Sequence, residues 1–163
     1  MAEPSNFHDL HRRLFPMAAR AEETTGQAIN TDTNVVIIWN SEIFDINGLY
    51  NPATGIYTTS KQGIYYVSAM VQLAATAQLA CGELFRLWVA VDSVRYAYLG
   101  FHDAWACGAT SITPTLNGST LIHAAAGAAI KFTCRQNSGA NLALSGDGQF
   151  NHMSIARIGP GIA

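Results

Sequence analysis

GIYYVSAMVQL, residues 63–73, is the stretch of this chain that best indicates its fold. Successive side chains of a β-strand point to opposite faces, so every second residue shares a face. One of the two sets is apolar throughout and consists of Tyr65, Val67, Ala69, Val71 and Leu73. Aromatic and β-branched residues are also the ones that strands favour. The stretch therefore predicts a β-strand that buries one face in a core.

Strand signals continue on both sides of this stretch. VVIIW, residues 35–39, precedes it, and two further runs, LFRLWVAV and VRYAYLGF, meet at Asp92-Ser93, which is typical of a tight hairpin. Asn117-Gly118 is one of several turn dipeptides between the runs. Three more runs predict strands: STLIHAA, AIKFTC and FNHMSIARI. Many short strands without a convincing helix indicate an all-β antiparallel sandwich or jelly roll.

Two of these strands are apolar on both faces. If the set that contains Tyr65 faces the core, then Tyr66 and Met70 face outward. The same alternation in residues 35–39 turns Val36 and Ile38 outward. Exposed apolar patches mark interfaces. We therefore expect Val36, Ile38, Tyr66 and Met70 to form a homo-oligomer contact, the alternative being that the N-terminal segment or a long loop of the same chain covers them.

Composition excludes several classes of protein. The chain has 163 residues, about one domain's worth. Apolar residues make up 49%, so the chain is not intrinsically disordered, and only 12% are charged, about half the roughly 25% of typical domains. The net charge is −2 with only two lysines, which argues against nucleic acid as a partner. No run of about 18 apolar residues predicts a membrane span, and the first residues lack an apolar signal core.

The N-terminal region differs chemically from the rest of the chain. Residues 1–23 hold seven of the 20 charged side chains. Phe7, Leu10, His11 and Leu14 have the spacing of one helical face, and Pro16 ends that pattern. A helix of about ten residues is marginal alone, so it has to dock, either on its own body or on a neighbouring subunit or larger assembly. Because residues 21–33 are polar, we predict an arm with a linker over 1–33 and a jelly roll over 34–163.

Residues 39–69 resemble the signature of the complement C1q globular-head domain, a trimeric jelly roll related to tumour necrosis factor. Eight positions stand at the spacings of that signature: Trp39, Asp45, Tyr50, Tyr57, Gly63, Tyr65, Val67 and Ala69. Trp39 and Tyr57 stand where phenylalanine is usual, and Val67 and Ala69 replace two aromatic residues. The resemblance extends over residues 35–158 and implies a ten-stranded jelly roll that assembles as a homotrimer around an apolar axis.

Enzymatic and metal-dependent functions have little support in the sequence. GxSxG, HExxH and P-loop motifs are absent. His102 and Asp103 are neighbours, but adjacent strand residues face opposite sides. His123 and His152 are expected in the core or an interface, with a three-subunit histidine ring as the alternative. We therefore predict no catalytic, cofactor or metal site.

The three cysteines, without a CxxC pair, are expected to be buried and reduced, with one disulfide plus a free thiol as the alternative.

These observations predict a structural protein of a phage or viral particle. The first hypothesis is a capsid decoration (cement) protein on the outer surface of the virion, synthesised in the host cytoplasm. Its partner would be the major capsid protein, and its docking residues lie in the arm: Phe7, Leu10, Arg12, Arg13, Leu14 and Phe15. The alternative is the receptor-binding tip of a tail or head fibre, which recognises a host glycan or protein through distal loops that include residues 100–114. A third hypothesis is a bacterial jelly-roll adhesin or lectin.

Overall fold

The computed structural model describes residues 17–76, 79–103 and 114–161, which form strands and turns and contain no helix. No segment of this described part is a helix long and apolar enough to cross a bilayer. The strands are β1 (Ala18–Glu22), β2 (Ala28–Ile29), β3 (Val35–Val36), β4 (Ser41–Asp45), β5 (Tyr50–Asn51), β6 (Ile56–Thr58), β7 (Gly63–Gln72), β8 (Leu84–Val91), β9 (Val94–Asp103), β10 (Thr115–Ala124), β11 (Ala129–Gln136), β12 (Leu142–Ala143) and β13 (His152–Pro160).

The strands form two antiparallel sheets that face each other. One sheet has five strands in the order β10-β7-β13-β1-β4. The other has the order β5-β6-β11-β8-β9, and β3 pairs with β11 beside this path. A small third sheet joins β12 to β2. Strands distant in sequence lie side by side in both sheets, so the fold is an antiparallel jelly roll, as predicted, although the described residues form thirteen strands and not ten.

The core lies between the two large sheets and follows the predicted alternation. Tyr65, Val67, Val71 and Leu73 are completely buried, and Ala69 is nearly so. The largest buried side chains of the core come from several strands and from the segment after β3: Trp39, Tyr57, Tyr65, Phe85 and Phe132. The core face of β7 is therefore the one that the sequence predicted.

The residues of the C1q-like signature support one another around the core. The Asp45 carboxylate accepts a hydrogen bond from the Tyr50 N–H at 2.7 Å. The Tyr50 hydroxyl donates to the Trp39 carbonyl at 2.9 Å and accepts from the Trp39 N–H at 3.0 Å. Because this hydroxyl satisfies both backbone groups of Trp39, the chain after β3 can pass through the interior without a strand partner at that residue.

The predicted boundary at residue 34 is too late. Residues 18–22 form β1, an internal strand of the five-stranded sheet, between β13 and β4. Ala19 and Ala21 are buried in the core, while Arg20 points outward between them. Ile29, within the stretch predicted as a polar linker, is also fully buried. Short alanine side chains give a weak apolar signal, which is why the sequence assigns this strand to the arm.

Two turn predictions had different outcomes. The hairpin at Asp92-Ser93 is confirmed, since both residues adopt positive φ (49° and 70°) between β8 and β9. Asn117-Gly118 is not a turn: it lies inside β10 and pairs with Met70 and Ala69 of β7.

The two cysteines within the described residues differ from each other. Cys134 is a free thiol, completely buried in the core, and its burial raises its pKa well above the ordinary value. Cys81 is exposed and disulfide-bonded, so the expectation of three buried thiols is wrong and the alternative, one disulfide plus a free thiol, is the one the structure supports. The remaining cysteine, Cys107, lies outside the described residues.

Candidate assembly interface

The outer face of the five-stranded sheet carries exposed apolar side chains, as the sequence predicts for Tyr66 and Met70. On β7, Tyr66 is 40% exposed, and Ile64 and Met70 are half-buried, while their neighbours Tyr65 and Val67 point into the core. We call this surface the assembly face; it consists of the outward side chains of β10, β7, β13, β1 and β4.

The neighbouring strand β10 enlarges the apolar part of the assembly face. Leu121 lies directly opposite Tyr66 and is 54% exposed. Side chains of directly opposed residues share a face, so Tyr66 and Leu121 form one continuous patch. β10 is the edge strand of this sheet, yet neither β7 nor β10 contains a Lys, Arg, Asp or Glu. Natural edge strands are usually protected by charges, so an uncharged edge beside an apolar patch indicates a surface that is covered in use.

Small side chains cross the middle of the assembly face. Ser119 of β10 lies opposite Ser68 of β7, which lies opposite Ser154 of β13. The row ends at Arg20 of β1, whose guanidinium is 3.7 Å from the Glu22 carboxylate on the same strand. A row of short hydroxyl side chains leaves room for the backbone or large side chains of a second protein to approach closely.

Phe44 extends the apolar surface at the far side of the same sheet. It lies opposite Arg20 on the edge strand β4 and is 42% exposed. Neither Phe44 nor Leu121 was among the predicted interface residues. Leu121 and Ile122 are adjacent apolar residues, and the sequence does not indicate that only Ile122 is buried. Residues 41–45, SEIFD, give a weak strand signal because their apolar and polar residues alternate poorly.

The structure brings only two of the four predicted interface residues together. Tyr66 and Met70 both lie on the assembly face. Val36 belongs to β3, opposite Thr133 of β11, and is therefore on the outside of the six-stranded sheet, with Ile38 just after it. Because the core separates the two sheets, Val36 and Ile38 cannot complete one continuous surface with Tyr66 and Met70 in a single chain.

The other predicted functional segments fall mostly outside the described residues. This applies to all six docking residues of the arm: Phe7, Leu10, Arg12, Arg13, Leu14 and Phe15. Of the loop at residues 100–114, the structure describes 100–103, which end β9, and Pro114.

The histidines and carboxylates do not converge. His152 and His123 both lie on the assembly face, but His152 is opposite Met70 and His123 is opposite Ile64, six residues away on β7. His102 pairs with Phe85 in the backbone ladder, and the Asp103 carboxylate is 3.7 Å from Arg86. Within residues 17–76, 79–103 and 114–161, no three His, Cys, Asp or Glu side chains are grouped so that they could hold a metal ion.

Comparisons with known proteins establish the fold. No protein-family model and no curated protein sequence matches the chain. Among solved structures, Eiger TNF from S. frugiperda has a TM-score of 0.63 at 12% identity, over 90% of this chain and 95% of that one. The globular domain of zebrafish complement 1qA protein has a TM-score of 0.58 at 13% identity, over 89% and 98% of the two chains. Murine APRIL, crystallised at pH 8.5, has a TM-score of 0.61 at 12% identity, over 86% and 98%. The chain thus has a C1q/TNF-like jelly-roll fold, as residues 39–69 predicted.

Proposed function

We propose that this protein is a homotrimeric capsid decoration (cement) protein, which bridges and stabilises neighbouring major capsid subunits on the outer surface of a virion. The observation that carries the proposal is the assembly face, where Tyr66 and Leu121 form an exposed apolar patch beside an uncharged edge strand. A surface of this kind needs a protein partner, and a second and third copy of the same chain provide it.

The trimeric state is supported by the C1q-like resemblance, which implies three subunits around an apolar axis. Tyr66 and Met70 lie on the sheet that would face that axis. Val36 and Ile38 are not part of the proposed contact, because they lie on the other sheet. We propose Leu121 and Phe44 in their place.

Attachment to a capsid is proposed for residues 1–16. The residues that follow them, Met17 and Ala18, are fixed by hydrogen bonds at one end of the five-stranded sheet. The Met17 carbonyl accepts a hydrogen bond from the Arg157 N–H at 2.9 Å, and the Ala18 carbonyl accepts from the Ile46 N–H at 2.8 Å. This end of the sheet is also where β7 begins at Gly63 and β13 ends at Pro160. In a cyclic trimer the three equivalent ends point to the same side, so three arms would reach the capsid together. Three simultaneous weak contacts raise the effective affinity.

A second candidate function is the receptor-binding tip of a phage tail or head fibre. The observation that favours it is the row of exposed aromatic side chains on β9, where Tyr96, Tyr98 and Phe101 are all at least 45% exposed. Aromatic side chains supply large contact areas in recognition surfaces. Either function is a structural or binding role, and we propose no enzymatic activity.

The proposal is tested in two steps. Light scattering coupled to gel filtration should report the mass of three 17.5 kDa chains, and a stable lone chain would contradict the proposal.

The trimer should then bind capsids that lack it at a stoichiometry matching three-fold positions. A chain without residues 1–16 should remain trimeric but lose this binding. A longer deletion, to residue 20, is unsuitable because it removes three of the five residues of β1. Binding to host cells with no binding to capsids would favour the fibre function.

A further inference from the structure

A shallow cavity of about 330 Å³ lies on the outside of the six-stranded sheet, away from the assembly face. Seven residues line it: Asn34, Arg86, Trp88, Ser93, Arg95, Tyr98 and Arg135. We call this cavity the arginine pocket. Its lining is polar and cationic, with two aromatic rings, and none of its residues belongs to the surface proposed for trimer formation.

The strand register explains why these side chains meet. On β8, Leu87 and Val89 are fully buried in the core, so Trp88 between them points to the outside. Tyr98 of β9 lies directly opposite Trp88, and Arg135 of β11 lies directly opposite Arg86. The pocket is therefore built on three adjacent strands, which hold their side chains more precisely than a loop would.

Positive charge is concentrated around this pocket. Residues 17–76, 79–103 and 114–161 contain seven Lys and Arg residues. Four of the seven lie on this side of the sheet: Arg86, Arg95, Lys131 and Arg135. The chain as a whole has a net charge of −2, so this local excess of cations is not a general property of the surface.

Only half of these cations have an acidic partner. Arg86 is 3.7 Å from Asp103, and Arg135 is 3.2 Å from Asp32. By contrast, the Lys131 ammonium group contacts the Ser93 hydroxyl at 3.2 Å, and Arg95 bonds to the hydroxyl of Tyr98. Among the described residues, neither Arg95 nor Lys131 forms a salt bridge. The positive charge of Arg95 is thus available to an anionic ligand.

Aromatic rings fix the position of the Arg95 guanidinium. Its central carbon is 4.8 Å from the centre of the Tyr98 ring and 5.8 Å from that of Trp88. The two rings pack edge to face with their centres 6.0 Å apart. Cation–π contacts and the hydrogen bond to the Tyr98 hydroxyl hold the guanidinium in place, and its other N–H donors can bind a planar anion in a bidentate manner. An arginine ordered before binding loses less entropy when a carboxylate arrives.

We propose that the arginine pocket binds an acidic sugar residue, whose carboxylate is held by the guanidinium groups of Arg95 and Arg135. Guanidinium and carboxylate form paired, charge-assisted hydrogen bonds. A volume of about 330 Å³ is at the small end of ligand pockets, which suits one monosaccharide. The amide of Asn34 and the hydroxyl of Ser93, which also line the pocket, are suitable partners for sugar hydroxyls. Single-stranded nucleic acid is disfavoured because its backbone needs a track of cations, and here they surround one concavity.

The pocket shares Tyr98 with the aromatic row that favours the fibre function, but its binding of an acidic sugar does not depend on the capsid or the fibre proposal. The pocket lies on the sheet opposite to the assembly face, so it stays open whether the chain is a monomer or a trimer. In a trimer, three pockets would bind a polysaccharide carrying repeated acidic residues more tightly than one pocket binds the monosaccharide.

The test is a titration of the full-length protein with N-acetylneuraminic acid, glucuronic acid and neutral glucose, followed by calorimetry and saturation-transfer NMR. At least one acid should bind with a dissociation constant on the order of millimolar, and glucose should not bind. Arg95→Gln should weaken this binding by about tenfold or more, and Arg95→Lys should weaken it severalfold because the planar donor pair is lost. Arg135→Gln provides a second, independent variant.

Lys61→Gln is the matched control, because it removes one positive charge from an exposed residue on the loop before β7. It should leave the affinity unchanged. The inference is overturned if neither acid binds at about 20 mM, if glucose binds equally well, or if Arg95→Gln and Arg135→Gln both bind like the unmodified protein. Tight binding of a single-stranded oligonucleotide that neither acid displaces would also overturn it.

Discussion

At the scale of single residues, Gly118 shows how a missing side chain permits the sheets to meet. A Cβ atom at this position would overlap the carbonyl oxygen of Leu99 on β9 and lie 2.8 Å from its carbonyl carbon. The obstacle is backbone, which cannot rotate away as a side chain can. The edge strands β9 and β10 can therefore pack against each other only with glycine at this residue.

Gly118→Ala should destabilise the protein by about 1–3 kcal/mol, the usual cost of overpacking, and lower the melting temperature by several degrees. Gly159→Ala is the control, since no atom lies within 4 Å of its added Cβ and its φ is not positive. Differential scanning calorimetry of the two variants measures the difference. Equal melting temperatures would contradict the close approach at Gly118.

Removing the hydroxyl group should affect stability differently at the two buried tyrosines of the signature, Tyr50 and Tyr57. The Tyr50 hydroxyl satisfies both the N–H and the carbonyl of Trp39, whereas the buried hydroxyl of Tyr57 has no hydrogen-bond partner among the described residues. Tyr50→Phe leaves two buried backbone groups unpaired and should cost about 2 kcal/mol or more. Tyr57→Phe removes an unpaired polar atom and should be neutral or slightly stabilising. Urea unfolding compares the variants, and an equal loss of stability in both would refute this role of Tyr50.

At the scale of the strands, alternation in the sequence predicted which side chains face the core but not which strands share a sheet. Tyr65, Val67 and Trp39 face the core as expected. Val36 and Tyr66 both face outward, but they lie on opposite sides of the molecule because β3 pairs with β11 and β7 pairs with β10 and β13. Pairing between strands so far apart in the chain leaves no periodic signal in either strand. The sequence also does not predict the bounds of β2, β3, β5 and β12, because strands of two residues are too short to show an alternation.

The assignment of the assembly face to one sheet can be tested with charges. Tyr66→Asp combined with Met70→Asp places two carboxylates on the assembly face and should convert the trimer into monomer or insoluble protein, because a buried unpaired charge is costly. Val94→Asp is the control: Val94 is 71% exposed at the start of β9, on the other sheet, and the variant should stay trimeric. Sedimentation velocity measures both. A soluble, unchanged trimer of the double variant would show that this face is not the contact.

At the scale of the whole molecule, the two outer faces of the sandwich have different chemistry. The assembly face carries exposed Tyr66, Leu121 and Phe44, with Arg20 and Glu22 paired to each other. The opposite side carries the arginine pocket, with Arg95 and Lys131 outside any salt bridge of the described residues. An apolar face suits permanent contact with identical copies, whereas a charged, concave one suits a small ligand that comes and goes. Because the two surfaces lie on opposite sheets, the domain can form a trimer through one and bind a small ligand through the other without competition.

If the assembly face is buried only in the trimer, folding and association are linked. A partner that binds only the folded chain stabilises it by mass action, so the melting temperature should rise with protein concentration. We expect an increase of a few degrees for each tenfold rise in concentration, because three chains must meet for each native particle. The Tyr66→Asp, Met70→Asp variant, where it remains soluble, should melt at a lower temperature that does not depend on concentration. The melting temperature of the unmodified protein could instead stay constant over a hundredfold range of protein concentration. A single chain would then tolerate the exposed apolar face, and Tyr66 and Leu121 would give no physical reason for a trimer.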